Sequence, residues 1–259
     1  MSAVFLAASL EPARRLDHGR RLLAEAALFR LVALGFSAPR QNRFAEMRKA
    51  ALAADAATAA LAEAPGLAGA PGLAGALREA RRAWFASTPS ELSAEYLRLF
   101  LGAAPVSLHE TAYGDGRRIG GRPVELADVG GFYSAFGFVM DERDPILADH
   151  LCAECEFMSL LAIKESYALT SGWREEWRTA RAAADEFLEQ HLGRWPEALL
   201  AALRREGASY AFVALVRLLE VLIATRRRTN GLRRIVAAGP RDHDPADDEL
   251  ICPMASREQ

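Results

Sequence analysis

The sequence predicts an all-α protein, a helical-bundle-like domain of eight or nine helices, and three observations carry that reading. Apolar residues recur at three- and four-residue spacing in successive windows. Recognisable helix starts and stops bound those windows. Between them no stretch alternates apolar and polar residues as a half-buried strand would.

The first helix is expected over Leu16 to Leu34, with Leu23, Ala27, Leu31 and Leu34 on its core face, Leu22, Ala26 and Phe29 beside them, and a stop near Gly35 and Pro39. A second, Ala-rich helix follows over Asn42 to Glu63. Residues 64–75 then repeat Ala-Pro-Gly-Leu-Ala-Gly in tandem, and Pro-Gly pairs mark turns, so this stretch reads as a mobile linker. Thr88, Pro89 and Glu91 form a helix start: a hydroxyl N-cap, a proline that needs no amide hydrogen, and a glutamate that closes a capping box. Leu92, Tyr96, Leu99 and Phe100 of that helix point toward the core.

Residues 102–122 hold five glycines and Pro105 and lose all periodicity, which reads as a long loop of the kind that is often functional. Helices resume over Pro123 to Phe136, then from Asp144 and Pro145 (cap and first turn) to about Thr170. Trp173 to His191, Pro196 to Arg205, and Ala208 to about Thr229, closed by Asn230-Gly231, complete the set. The organisation expected is a helical domain over 1–240, built as one body or as two unequal lobes, and an acidic, flexible tail over 241–259 in which Leu250, Ile251, Cys252 and Met254 form an apolar hook.

The segment Ala208 to Ala224 is apolar enough in length to suggest a membrane span, but Arg217 and Glu220 interrupt it at i,i+3. A charge such as Arg217 costs roughly 2.5 to 3.5 kcal/mol at a bilayer centre, so a central buried helix whose Arg217 and Glu220 can pair is the reading adopted. Met1 to Leu10 is too short, and lacks the basic residues, for a secretory signal; three cysteines in 259 residues are no disulfide framework. The expected location is the cytoplasm. Hydrophobic residues at 51% and charged residues at 25% argue against disorder, and a net charge of −2 gives no pull toward nucleic acid.

No phosphate-binding glycine loop, dinucleotide fingerprint, nucleophile elbow or zinc-protease motif occurs, so no catalytic residue is assigned. Cys152 and Cys155 share a helix face, but zinc needs four ligands and no second pair exists, so both are assigned to core packing and no metal or cofactor is expected. His150 and Glu154, at i,i+4, are read as a surface hydrogen bond in preference to half of a di-metal site, because no Glu-x-x-His occurs in the chain.

Charge says more. From Glu110 to Glu165 eleven acidic side chains face five basic ones, an excess of six negative charges, with Tyr113, Phe132, Tyr133 and Phe136 close by in sequence. An acidic, aromatic-flanked face suits a partner that is both basic and apolar. Arg226, Arg227, Arg228, Arg233 and Arg234 form a basic cluster at a helix C-terminus, where cations complement the helix dipole; without interleaved aromatics it is no nucleic-acid signal.

The stretch Ser107 to Leu161 resembles the TorD/DmsD/NarJ chaperones that mature bacterial molybdenum-containing oxidoreductases. The residues concerned are Glu110-Thr111-Ala112-Tyr113, Phe132-Tyr133 with Gly137-Phe138, and Asp149-His150 followed by Glu154, Glu156, Phe157 and Met158. The resemblance implies an all-helical, non-enzymatic chaperone that binds the N-terminal signal, often a twin-arginine export signal, or the apo form of a catalytic subunit until its cofactors are in place. Position by position, Asp149 and His150 fall on the family's Asp-His pair and Tyr113 on its aromatic loop; Ala148 and Cys155 depart from the usual pattern. Together with the acidic residues around them, the expected client-peptide site is Glu110, Tyr113, Asp115, Asp149, His150 and Glu154. The alternative function is a helical metal-binding or scaffold protein with an unrelated client. Monomer and dimer remain equally open.

Overall fold

The computed structural model describes residues 12–40, 42–62, 72–113, 121–140 and 146–235. Most of the tandem Pro-Gly linker, the centre of the 102–122 loop with Asp115, the Asp144-Pro145 pair and the 241–259 tail lie outside the described residues.

Among the described residues there are nine α-helices and one short 3-10 turn, and no strand. The helices are α1 (Pro12–Phe36), α2 (Arg43–Ala62), α3 (Leu73–Phe85), α4 (Pro89–Phe100), α5 (Gly121–Ala135), α6 (Leu151–Ser171), α7 (Arg174–Gln190), α8 (Pro196–Arg205) and α9 (Tyr210–Asn230). The 3-10 turn, Glu110–Ala112, precedes α5.

Helix α1 packs along α6, and also against α2 and α9; α9 in turn touches α3 and α8, and α6 touches α7. A helix covered on several sides cannot carry one narrow apolar stripe. The core face of α1 accordingly runs through Leu22, Leu28, Phe29, Val32 and Phe36, whereas Leu23, expected inside, is 49% exposed. One aromatic cluster joins the helices: Phe212 of α9 lies 5.3 to 6.5 Å, centroid to centroid, from Phe36, Trp84, Tyr96 and Phe100.

Several local expectations hold. Thr88 Oγ1 accepts from the Glu91 amide at 3.2 Å and Glu91 Oε2 accepts from the Thr88 amide at 2.7 Å, the reciprocal box that starts α4. Gly231, at φ 70°, ends α9. Cys152 and Cys155 are buried in the core; the Cys152 thiol donates to the Ala33 carbonyl at 3.2 Å, and burial pushes the Cys155 thiol well above its ordinary range.

Two expectations fail. Helix α6 begins at Leu151, not near Asp144, because 146–150 is held by tertiary hydrogen bonds in a non-helical path and His150 serves as the N-cap. Arg217 pairs with Glu79 of α3 at 3.4 Å and with the Tyr210 hydroxyl at 3.2 Å rather than with Glu220. Among the described residues no helix is long and apolar enough to cross a membrane.

The turn between α7 and α8 depends on a residue without a side chain. A Cβ on Gly193 would stand 2.2 Å from the Leu188 carbonyl oxygen and 2.6 Å from Arg227 Nη2. Gly193→Ala is therefore expected to destabilise the fold by about 1 to 3 kcal/mol, read as a lowered midpoint in urea.

Candidate functional site

The site grows from the segment 107–113, which crosses the N-terminus of α6. The Glu110 amide donates to the Asp149 carbonyl and the Leu151 amide to the Leu108 carbonyl, both at 2.9 Å, so His109 and His150 face each other across an isolated antiparallel bridge. These bonds satisfy backbone groups that a long loop would otherwise leave unpaired, and they anchor the described start of the 102–122 stretch.

Asp149 is 0% exposed. Its Oδ1 lies 2.9 Å from His109 Nδ1, and its Oδ2 accepts from the Thr111 hydroxyl at 2.6 Å and the Thr111 amide at 3.2 Å. Burial alone would raise its pKa, but the hydrogen bond and charge of His109 and the two bonds from Thr111 together hold it below the usual carboxylate value. His150 is buried too. Its Nδ1 accepts from the Cys152 amide at 3.2 Å, which requires the unprotonated nitrogen, and burial, with the nearby His109 charge, lowers its pKa to about 4.

Deeper in, Glu110 Oε2 lies 2.9 Å from Nδ1 of the fully buried His191, and the Trp195 indole donates to Glu154 Oε2 at 3.1 Å. Tyr113 stacks on Trp195 at 5.3 Å and donates its hydroxyl to the Ser107 carbonyl at 2.7 Å. Tyr133 of α5 donates to the Ala148 carbonyl at 2.7 Å. The network thus ties 107–113, α5, 146–150, α6 and the end of α7 into one block.

Of the residues expected to bind a client, Glu110, Tyr113, Asp149, His150 and Glu154 come together here, while Asp115 lies outside the described residues. All five are buried, so the acidic face read from the sequence does not present these three carboxylates to solvent. Nor do His150 and Glu154 form a surface hydrogen bond with each other: His150 caps α6 and Glu154 receives Trp195. An i,i+4 spacing sets proximity along a helix, but not which partner the tertiary fold supplies. Among the described residues no group of three or more His, Cys, Asp or Glu could hold a metal ion.

Glu154 carries a testable cost. It is fully buried, Oε1 has no hydrogen-bond partner among the described residues, and burial, reinforced by the Glu110 charge, raises its pKa well above 4.5 despite the Trp195 bond. A carboxyl group with a raised folded-state pKa favours the native state below the unfolded value and opposes it as pH rises beyond that value. Glu154→Gln, which keeps the acceptor for Trp195 and cannot ionise, is expected to be at least as stable as wild type at pH 7. Its advantage should grow above pH 4.5 by up to about 1.4 kcal/mol per pH unit until the buried acid ionises. Urea denaturation across pH 5 to 8, in unit steps of about one, checks it.

Beside this block opens a cleft of about 870 Å³. It is lined by His109, His150 and Cys152, by the apolar Leu101, Val139, Met140 and Leu147, and by Glu46 and Glu156 with Arg40 and Arg43. Val139 is 86% exposed, and Leu101 and Leu147 are also exposed. Sequence reading missed His109, His191 and Trp195. His109 adjoins the motif that was noticed; His191 and Trp195 have no local signal, being 81 and 41 residues from their partners.

Comparison with known proteins bears on this same region. The profile of the nitrate reductase delta subunit family matches residues 66–201, a stretch that contains the whole network from Ser107 to Trp195. The chain is also 35% identical over 99 residues to the perchlorate reductase assembly chaperone protein of Dechloromonas aromatica (strain RCB). That match takes in 38% of this chain and 43% of the relative, less than half the relative's length. With more than half of its residues matched by the profile, the chain belongs to the nitrate reductase delta subunit family, the redox-enzyme maturation group that its sequence resembles.

Proposed function

We propose that the chain is a cytoplasmic assembly chaperone that holds the N-terminal segment, twin-arginine in type, or the apo form of the catalytic subunit of a molybdenum-containing oxidoreductase while its cofactors are inserted. Membership of the family supports an assembly role without catalysis. The observation that carries the client reading is the cleft, whose lining combines exposed Leu101, Val139 and Leu147 with the carboxylates of Glu46 and Glu156. A segment with two guanidinium groups and a short apolar stretch suits a lining of this kind: Arg to carboxylate contacts fix register and apolar burial supplies affinity. The name of the relative, an assembly chaperone for perchlorate reductase, supports a reductase as the client.

In this reading Glu110, Tyr113, Asp149, His150 and Glu154 act from beneath the cleft. Asp149 holds His109 and Thr111 in place and His150 fixes the start of α6, so the client meets a wall that is already formed.

The test is titration calorimetry with a synthetic peptide that carries two adjacent arginines followed by a short apolar stretch. Val139→Asp changes an exposed residue, so its melting temperature should match wild type while peptide affinity falls about tenfold or more, about 1.4 kcal/mol. Affinities within a factor of two would remove the cleft as the site. Asp149→Asn removes a buried charge-assisted acceptor and is expected to lower both stability, by about 1.5 to 3 kcal/mol, and affinity.

A further inference from the structure

A second cleft, of about 810 Å³, lies on another face, between the turn before α8 and the C-terminal half of α9. Arg194, Arg227, Arg228 and Arg234 line it with Glu197 and Glu220. Glu197 is engaged by Arg234 at 2.7 Å. Arg194 and Arg227 bond to backbone carbonyls and Arg228 to a threonine hydroxyl, and among the described residues none of the three forms an ion pair, Glu189 acting on Arg227 only through its charge. The Nε atoms of Arg194 and Arg227 are buried without any hydrogen-bond partner. Burial and the Arg234 charge lower the Arg227 pKa, against the pull of Glu189.

The chain itself supplies the missing charge. Asp242, Asp244, Asp247, Asp248 and Glu249 fall within eight residues and are followed by the apolar Leu250 and Ile251. Arg234 lines the cleft, and the seven residues between Arg234 and Asp242 can span up to about 24 Å, so the acidic stretch is tethered at the cleft's rim. A short tether makes the local concentration of its own end on the order of millimolar, enough to populate a weak contact. From the free arginines, the cleft and this tether we infer that residues 242–251 dock in cis on the α8–α9 arginine cleft, their carboxylates meeting Arg194, Arg227 and Arg228. This contact is independent of the client cleft.

The test uses the full chain, labelled with ¹⁵N and carrying a nitroxide on Cys252; Cys152 and Cys155 are buried and should not react, and mass spectrometry confirms a single label. Amide signals of residues 193–197 and 220–232 should be broadened most. The broadening should fall at least threefold on combining Asp242→Asn, Asp244→Asn, Asp247→Asn, Asp248→Asn and Glu249→Gln, and again at about 1 M salt, where the Debye length is about 3 Å. Unchanged amide chemical shifts elsewhere in that variant exclude loss of structure as the cause; Arg228→Gln should act in the same direction. Broadening that is absent, spread evenly over the surface or indifferent to charge would overturn the inference. So would broadening seen between spin-labelled and ¹⁵N-labelled molecules mixed together, which would assign the cleft to a second copy.

Discussion

Leu219→Asp is expected to leave no folded, soluble protein. Leu219 sits at the middle of α9, has no exposed surface, and belongs to the main core with Leu215, Leu218 and Leu222. A carboxyl group placed there without a partner must either stay charged in an apolar setting or take up a proton and remain unsatisfied, at a cost of several kcal/mol. Native domains have only about 5 to 15 kcal/mol to lose, and the void left by the leucine adds to the cost. Soluble yield and circular dichroism check it. Soluble protein with an unchanged melting temperature would mean that α9 is not the centre of the fold.

Arg226→Ala should come next in size. The guanidinium of Arg226 is 2% exposed and bonds Glu165 at 2.8 Å, Glu25 at 3.0 Å and Asp185 at 3.1 Å, joining α9 to α6, α1 and α7. Burial would lower its pKa, but the three carboxylates raise it further still, so it remains charged throughout the working range. Removing the one cation leaves three acids facing each other in the interior, and breaking a buried pair in this way costs about 3 to 5 kcal/mol. Acid should relieve the defect: burial already holds the Glu165 carboxyl above its ordinary value, and loss of the Arg226 charge pushes it further, so the gap to wild type should narrow as pH falls toward 4.5, the ordinary value for glutamate. Thermal denaturation at pH 7 and at pH 5 measures both effects. A deficit of the same size at both would show that packing, and not uncompensated charge, is what Arg226 supplies.

Arg226 also shows where sequence reading ended. In the chain it is one of five arginines near a helix C-terminus, and charge alone assigns it to a solvated basic patch. The fold buries it and leaves Arg227 and Arg228 to line a cleft. The difference is one step of about 100° around the helix, and it matters only because α9 is covered on several sides.

What the sequence determined by itself was everything that depends on neighbours within a turn or two. The fold class, the capping box at Thr88 and Glu91, the glycine stop at Gly231, the burial of Cys155 and the family all follow from residue types at short spacing. Only the tertiary structure decided which acids are inside. Glu110, Asp149 and Glu154 read as an exposed acidic face because charged residues are usually solvated; each is instead buried against His191, against His109 and Thr111, or against Trp195. Their partners lie 38 to 81 residues away or, like His109, on a segment whose position is set by backbone bonds to α6. A local pattern cannot encode such pairings, because whether a carboxylate is solvated or buried is decided by what the rest of the chain brings to it.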